Sequence, residues 1–113
     1  MPTSATTRRV GGVVVIDFAG RITSPDGTGL LRDTVKQLVA AGHKNILLNL
    51  RNLTYLDSGG MGELVGACST LRGLGGDLKL LHPQERVENL LRMTKLFTVF
   101  EVFSDEPAAL QSF

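Results

Sequence analysis

The sequence predicts an α/β fold, a mixed and mostly parallel β-sheet packed with about four helices in the order β-β-α-β-α-β-α-β-α. Short runs rich in Val, Ile and Leu alternate with stretches whose apolar residues recur at helical spacing. Gly-Gly and Pro punctuation separates most of these segments. The 113 residues suffice for one domain, residues 1–113, with its own hydrophobic core.

Residues 1–5 are small and polar and are expected to be a frayed end. Thr6 to Val10 and Val13 to Phe18 flank Gly11-Gly12 and read as a β-hairpin. Val13, Val14, Val15 and Ile16 form a continuous β-branched run, which suits a central strand covered on both faces. A loop with Gly20, Ser24, Pro25, Asp26 and Gly27 follows. Leu31, Val35, Leu38 and Val39 then recur at helical spacing, with Gly42 placed to end that helix.

Asn45 to Leu50 reads as a second buried strand. Met61, Leu64, Val65, Cys68 and Leu71 then mark one face of an amphipathic helix, closed by Gly75-Gly76. Asp77 to Leu81 is a short strand and His82-Pro83 a turn. Val87, Leu90, Leu91 and Thr94 keep a weaker helical period. Thr98 to Phe103 reads as the last strand, and Ser104, Asp105 and Glu106 open a short helix through Leu110. Strands separated by single helices imply parallel pairing through right-handed crossovers, with the opening hairpin adding an antiparallel edge.

Composition excludes several functional classes. Twelve Lys and Arg against eleven Asp and Glu leave a net charge of +1, too little for a dedicated nucleic-acid-binding domain. No apolar run approaches the ~20 residues of a membrane-spanning helix, and the first residues do not resemble a secretory signal. A single cysteine, Cys68, excludes an internal disulfide and a multi-cysteine zinc site. A cytoplasmic protein is the default expectation.

Thirteen glycines punctuate the chain, and Gly59, Gly60, Gly62 and Gly66 crowd around one helix start. Each glycine inside that helix costs roughly 1 kcal/mol relative to Ala. Either the helix packs closely on the sheet, or another molecule approaches its start. The segment Tyr55-Leu56-Asp57-Ser58-Gly59-Gly60-Met61-Gly62 lies at the carboxyl end of a predicted central strand, the usual ligand edge of an open α/β sheet. A helix N-terminus there offers free N–H groups and partial positive charge to an anion. Ser58 and Asp57 both suit its N-cap.

Catalytic machinery around this segment is sparse. A serine hydrolase needs a base, and only His43 and His82 are available. Leu56 stands where the nucleophile elbow has its first glycine. Gly59-Gly60-x-Gly62 matches neither a P-loop nor the dinucleotide fingerprint. A receiver-type phospho-acceptor at Asp57 would want paired carboxylates after the first strand, where Asp17 stands alone. Cys68 and the two histidines are too scattered in sequence for a metal set. No catalytic residue, metal or cofactor is therefore expected.

The pattern resembles the STAS domain of the anti-sigma-factor antagonist family. The likeness rests on Gly20, on Asn49-Leu50, and on Asp57-Ser58-Gly59-Gly60-Met61-Gly62 opening a helix. Gly75-Gly76, Leu96-Phe97 and Phe100 extend it over nearly all residues from 8 to 112. The resemblance implies a non-enzymatic regulator that binds a serine-kinase anti-sigma factor and releases the sigma factor. The kinase, using its own bound ATP, then phosphorylates the serine after the motif's aspartate, here Ser58, and a phosphatase resets the cycle. Partner contact would fall on Thr23, Asp57, Ser58, Gly59, Gly60, Met61 and Gly62, with Tyr55 and Leu56 nearby.

Gly59 stands where the commonest motif has a second serine, and Thr23 where many members carry an acidic residue. The chain's partners would be the kinase and the phosphatase, with a homodimer a further option and neither nucleic acid nor membrane insertion expected. The alternative within the same fold is a constitutive adaptor subunit of a signalling or lipid-transport complex, with Ser58 serving only as a cap. A small phosphate-ligand or nucleotide-binding enzyme is the alternative from another class.

Overall fold

A computed structural model describes residues 3–23 and 27–113. The predicted loop residues Ser24, Pro25 and Asp26 lie outside the described residues, as do residues 1 and 2. The elements follow the predicted order: β1 (Ser4–Val10), β2 (Val13–Ile22), α1 (Thr28–Ala40), β3 (Asn45–Leu56), α2 (Ser58–Gly73), β4 (Asp77–Leu81), α3 (Glu85–Met93), β5 (Val102–Phe103) and α4 (Glu106–Gln111). The five strands form one sheet in the spatial order β1-β2-β3-β4-β5. β1 pairs antiparallel with β2, and the remaining neighbours pair parallel.

Each face of the sheet buries a different set of side chains. Ile16 and Phe18 of β2, Ile46, Leu48, Leu50 and Leu53 of β3, and Leu78 and Leu80 of β4 pack with α1, α2 and α3. Val13, Val15, Leu47 and Leu81 pack on the other face with Ala109 of α4. The run Val13–Ile16 is thus fully buried because both faces of β2 are covered. Within α2, Leu64, Ala67, Cys68 and Leu71 turn toward the sheet.

Four boundaries differ from the sequence expectation. β1 begins at Ser4, because Ser4 and Ala5 pair with Ala19 and Phe18. β2 runs on to Ile22 and β3 to Leu56, since their pairing continues past two register shifts to Ile22↔Leu56. The expected last strand over Thr98–Phe103 shrinks to Val102–Phe103. Leu96–Thr98 is instead a 3₁₀ turn entered through Lys95 in the left-handed region, and it delivers Phe100 into the core at 2 % exposure.

The extensions of β2 and β3 carry the chain beyond the end of β4. They place Ile22 beside Leu56, and so the start of α2 beside the start of α1. Gly27 makes the second approach possible: it has φ 91, forms a parallel bridge with Thr23, and would drive a Cβ into the Arg21 carbonyl.

Candidate functional site

The site is built where β2 and β3 end. Asp57 leaves β3 in an extended conformation and its amide donates to the Ile22 carbonyl at 3.4 Å. Its Oδ1 then accepts from the Gly60 amide at 2.8 Å, satisfying one of the free donors of the first helical turn. Asp57 is therefore the N-cap of α2, and Ser58 is the first helical residue. The sequence leaves the cap open between Asp57 and Ser58, and the extended position that a cap requires belongs to Asp57.

Ser58 and Gly59 are exposed, as is Gly62 one turn on. Among the described residues no partner engages the Ser58 hydroxyl, so it stands free at the positive end of a sixteen-residue helix.

Gly60 is buried, and a Cβ there would collide with the Ile22 carbonyl oxygen and the Leu56 side chain. The close-packing explanation thus accounts for Gly60. Gly62 and Gly66 differ, because a Cβ on either meets nothing within 4 Å. Packing within the domain would accept a larger residue at either position.

The other predicted contact residues divide by burial. Thr23, next to Ile22, is 8 % exposed, whereas Asp57 is half-buried. Met61 is also half-buried and its sulfur lies 3.9 Å from the Thr94 hydroxyl, leaning toward the end of α3. Leu56 is core at 4 %, but Tyr55 is 45 % exposed.

Residues without a sequence signal complete the surroundings. Arg32 of α1 and Glu63 of α2 form a bidentate pair at 3.0 and 3.1 Å, bracing the two helices side by side. Between them runs a groove of about 440 Å³ floored by Val35, Val39, Gly66 and Ala67. Arg21 and Arg86 line a smaller concavity with Thr54 and Tyr55.

Cys68 is buried and hydrogen-bonded at long range to the Leu78 carbonyl, and desolvation pushes its thiol up, away from the reactive thiolate. Among the described residues no three His, Cys, Asp or Glu side chains converge to hold a metal ion. No helix there is long and apolar enough to cross a membrane. Among the described residues the arrangement presents an exposed hydroxyl at a helix start with no base hydrogen-bonded to it.

Known proteins resemble this chain in sequence and in fold. A family model described as the STAS domain matches residues 4–109. The anti-sigma F factor antagonist of Paenibacillus polymyxa is 28 % identical over 101 residues, covering 88 % of this chain and 85 % of the relative. A solved structure from Thermotoga maritima, described as that of a candidate anti-sigma factor antagonist, superposes with a TM-score of 0.88 at 20 % identity, covering 96 % of this chain and 92 % of the other. The phosphorylated form of the Bacillus cell-fate determinant SpoIIAA superposes with a TM-score of 0.73 at 21 % identity, covering 96 % and 98 %.

Proposed function

The chain belongs to the STAS domain family, and from that premise we propose that it is an anti-sigma-factor antagonist switched by phosphorylation of Ser58. In its unphosphorylated form it binds a serine-kinase anti-sigma factor and displaces the sigma factor. Phosphorylation of Ser58 by the kinase's ATP ends the contact, and a phosphatase restores it. The observation that carries this reading is that Asp57 takes the cap and leaves the Ser58 hydroxyl exposed and unengaged. The curated relative named an anti-sigma F factor antagonist supports the assignment of partner.

The physics of the switch follows from that position. A phosphoryl group brings about −1.5 to −2 charges and three acceptor oxygens. At the start of α2 the helix dipole and the free first-turn amides tolerate that charge, so the domain stays folded. The partner surface changes instead: the smooth neighbourhood of Gly59 and Gly62 acquires a bulky dianion. A contact evolved to sit flush on the neutral hydroxyl loses both fit and electrostatic match.

The test is affinity capture from an extract of the source cells with Ser58→Ala and Ser58→Glu chains as parallel baits. The Ala bait is expected to capture a kinase of the ATPase fold that the Glu bait does not. That kinase with ATP should place a single phosphate on wild-type Ser58. Identical partners on both baits would reject the switch in favour of the constitutive adaptor.

A further inference from the structure

A third concavity, of about 470 Å³, opens where β4 and β5 end. This carboxyl edge of parallel strands is where open α/β sheets take ligands. His82, the first residue past β4, has φ 53 and is one of two non-glycine residues in the left-handed region among the described residues. Strained backbone of this kind concentrates at ligand sites. Its amide donates to the Phe103 carbonyl at 2.8 Å, which fixes the turn against β5.

Gln84 occupies the N-cap position of α3 but does not cap it. Its side-chain amide reaches across to the Arg51 carbonyl at 2.6 Å, leaving the first amides of α3 without a side-chain acceptor. Arg51, His82, Gln84 and Ser104 line the polar part of the concavity, and Val102 and Phe103 form its apolar wall. The Arg51 guanidinium has no ion-pair partner among the described residues. Three carboxylates stand near: Glu88 in the lining is paired with Arg92 at 3.0 Å, Glu106 near His82 is held by Arg8, and Glu85 in the first turn of α3 lines a neighbouring concavity instead.

We propose that this pocket binds a small organic phosphate. The phosphoryl oxygens accept hydrogen bonds from Arg51, His82, Ser104 and the open start of α3, and an apolar body lies on Val102 and Phe103. Guanidinium, imidazole and hydroxyl donors together match a phosphomonoester better than a neutral ligand. The volume is in the range of small-molecule sites, roughly 300–1,000 Å³. The site is separate from Ser58 and uses none of its motif residues, so a failure of either proposal leaves the other standing.

The experiment is an NMR titration of the full chain with phenyl phosphate and, in parallel, with inorganic phosphate. Saturable shifts are expected at the amides of His82, Glu85 and Ser104. Phenyl phosphate should bind at least about fivefold tighter than inorganic phosphate, because only it uses the apolar wall. Arg51→Gln should weaken phenyl phosphate about tenfold, with partial recovery in Arg51→Lys. His82→Asn tolerates the left-handed backbone and removes the imidazole, so it should weaken binding with an unchanged unfolding curve. Ser58→Ala should bind as the wild type does. Non-saturating shifts, shifts centred on Arg21 and Arg86, or undiminished binding by Arg51→Gln would overturn the proposal.

Discussion

The Asp57 carboxylate accepts a hydrogen bond from the Gly60 amide at 2.8 Å, closing the start of α2 without using the hydroxyl of Ser58 beside it. The aspartate is the structural half of the pair and the serine is left for another role. The two side chains should therefore respond unequally to truncation.

Asp57→Ala is expected to cost ~1 kcal/mol of stability, with Asp57→Asn nearly neutral because an amide oxygen can replace the cap. Ser58→Ala should change stability by less than ~0.5 kcal/mol, as an exposed first-turn residue with no partner. Urea unfolding of the three variants checks both statements. A Ser58→Ala loss as large as that of Asp57→Ala would return the cap to Ser58.

The glycines of α2 should divide in the same way. Gly60→Ala forces a methyl group into the Ile22 carbonyl and is expected to destabilise by roughly 3 kcal/mol. Gly66→Ala meets open space and should stabilise the isolated domain by about 0.5–1 kcal/mol through helix propensity. Thermal unfolding distinguishes them, the first lowering and the second raising the midpoint.

Acid should weaken the tie between β1 and α4. Arg8 bridges Asp17 at 2.8 Å and Glu106 at 2.5 Å, and Asn49 also donates to Asp17. Hydrogen bonding to Arg8 lowers both carboxyls below their ordinary values of 3.8 and 4.5. Near those values the folded chain binds fewer protons than the unfolded one. Stability is therefore fully present above about pH 5 and is lost as pH falls through the folded values. All three side chains are about one-third exposed or more, so screening keeps the effect to ~1 kcal/mol or less. Unfolding curves between pH 6 and pH 3, taken at roughly these limits, should show a smaller acid loss in Arg8→Gln than in wild type.

Lys79 should matter out of proportion to a surface lysine. It is 5 % exposed in β4, donates to the Ser112 carbonyl at 2.7 Å and hydroxyl at 2.9 Å, and pairs with Glu101 at 3.0 Å. Its ammonium also faces the Phe113 ring at 4.7 Å. Lys79→Ala removes the buried stem and the tether together and is expected to cost ~2 kcal/mol; Lys79→Met, which keeps the stem's packing, should cost less. Amide hydrogen exchange in α4 should quicken in both. Slow exchange there in Lys79→Ala would show that α4 is held by Ala109 and Leu110 alone.

Much of the fold was legible because its signals are local. The β-branched run Val13–Ile16, the helical spacing of Leu64, Cys68 and Leu71, and Gly42 at a helix end each state a preference that the finished packing satisfies. β4 keeps the boundaries the sequence suggests, Asp77–Leu81. The last strand did not, because Thr98–Phe103 has strand-like composition throughout. Only Val102 and Phe103 find partners, opposite Leu80 and Leu81, while Phe100 turns inward.

The sequence by itself determined the α/β order, the burial of the central strands and the position of a helix start with a serine, an aspartate and glycines. Those properties depend on neighbours along the chain. Tertiary structure decided which residue caps and which remains free, because Asp57 and Ser58 have similar capping preferences and the entry angle from β3 chooses between them. It also separated Gly60 from Gly62 and Gly66, since only Gly60 lies against the Ile22 carbonyl. The gathering of Arg51, His82 and Ser104 at one sheet edge has the same origin: strand pairing joins residues that are far apart in the chain.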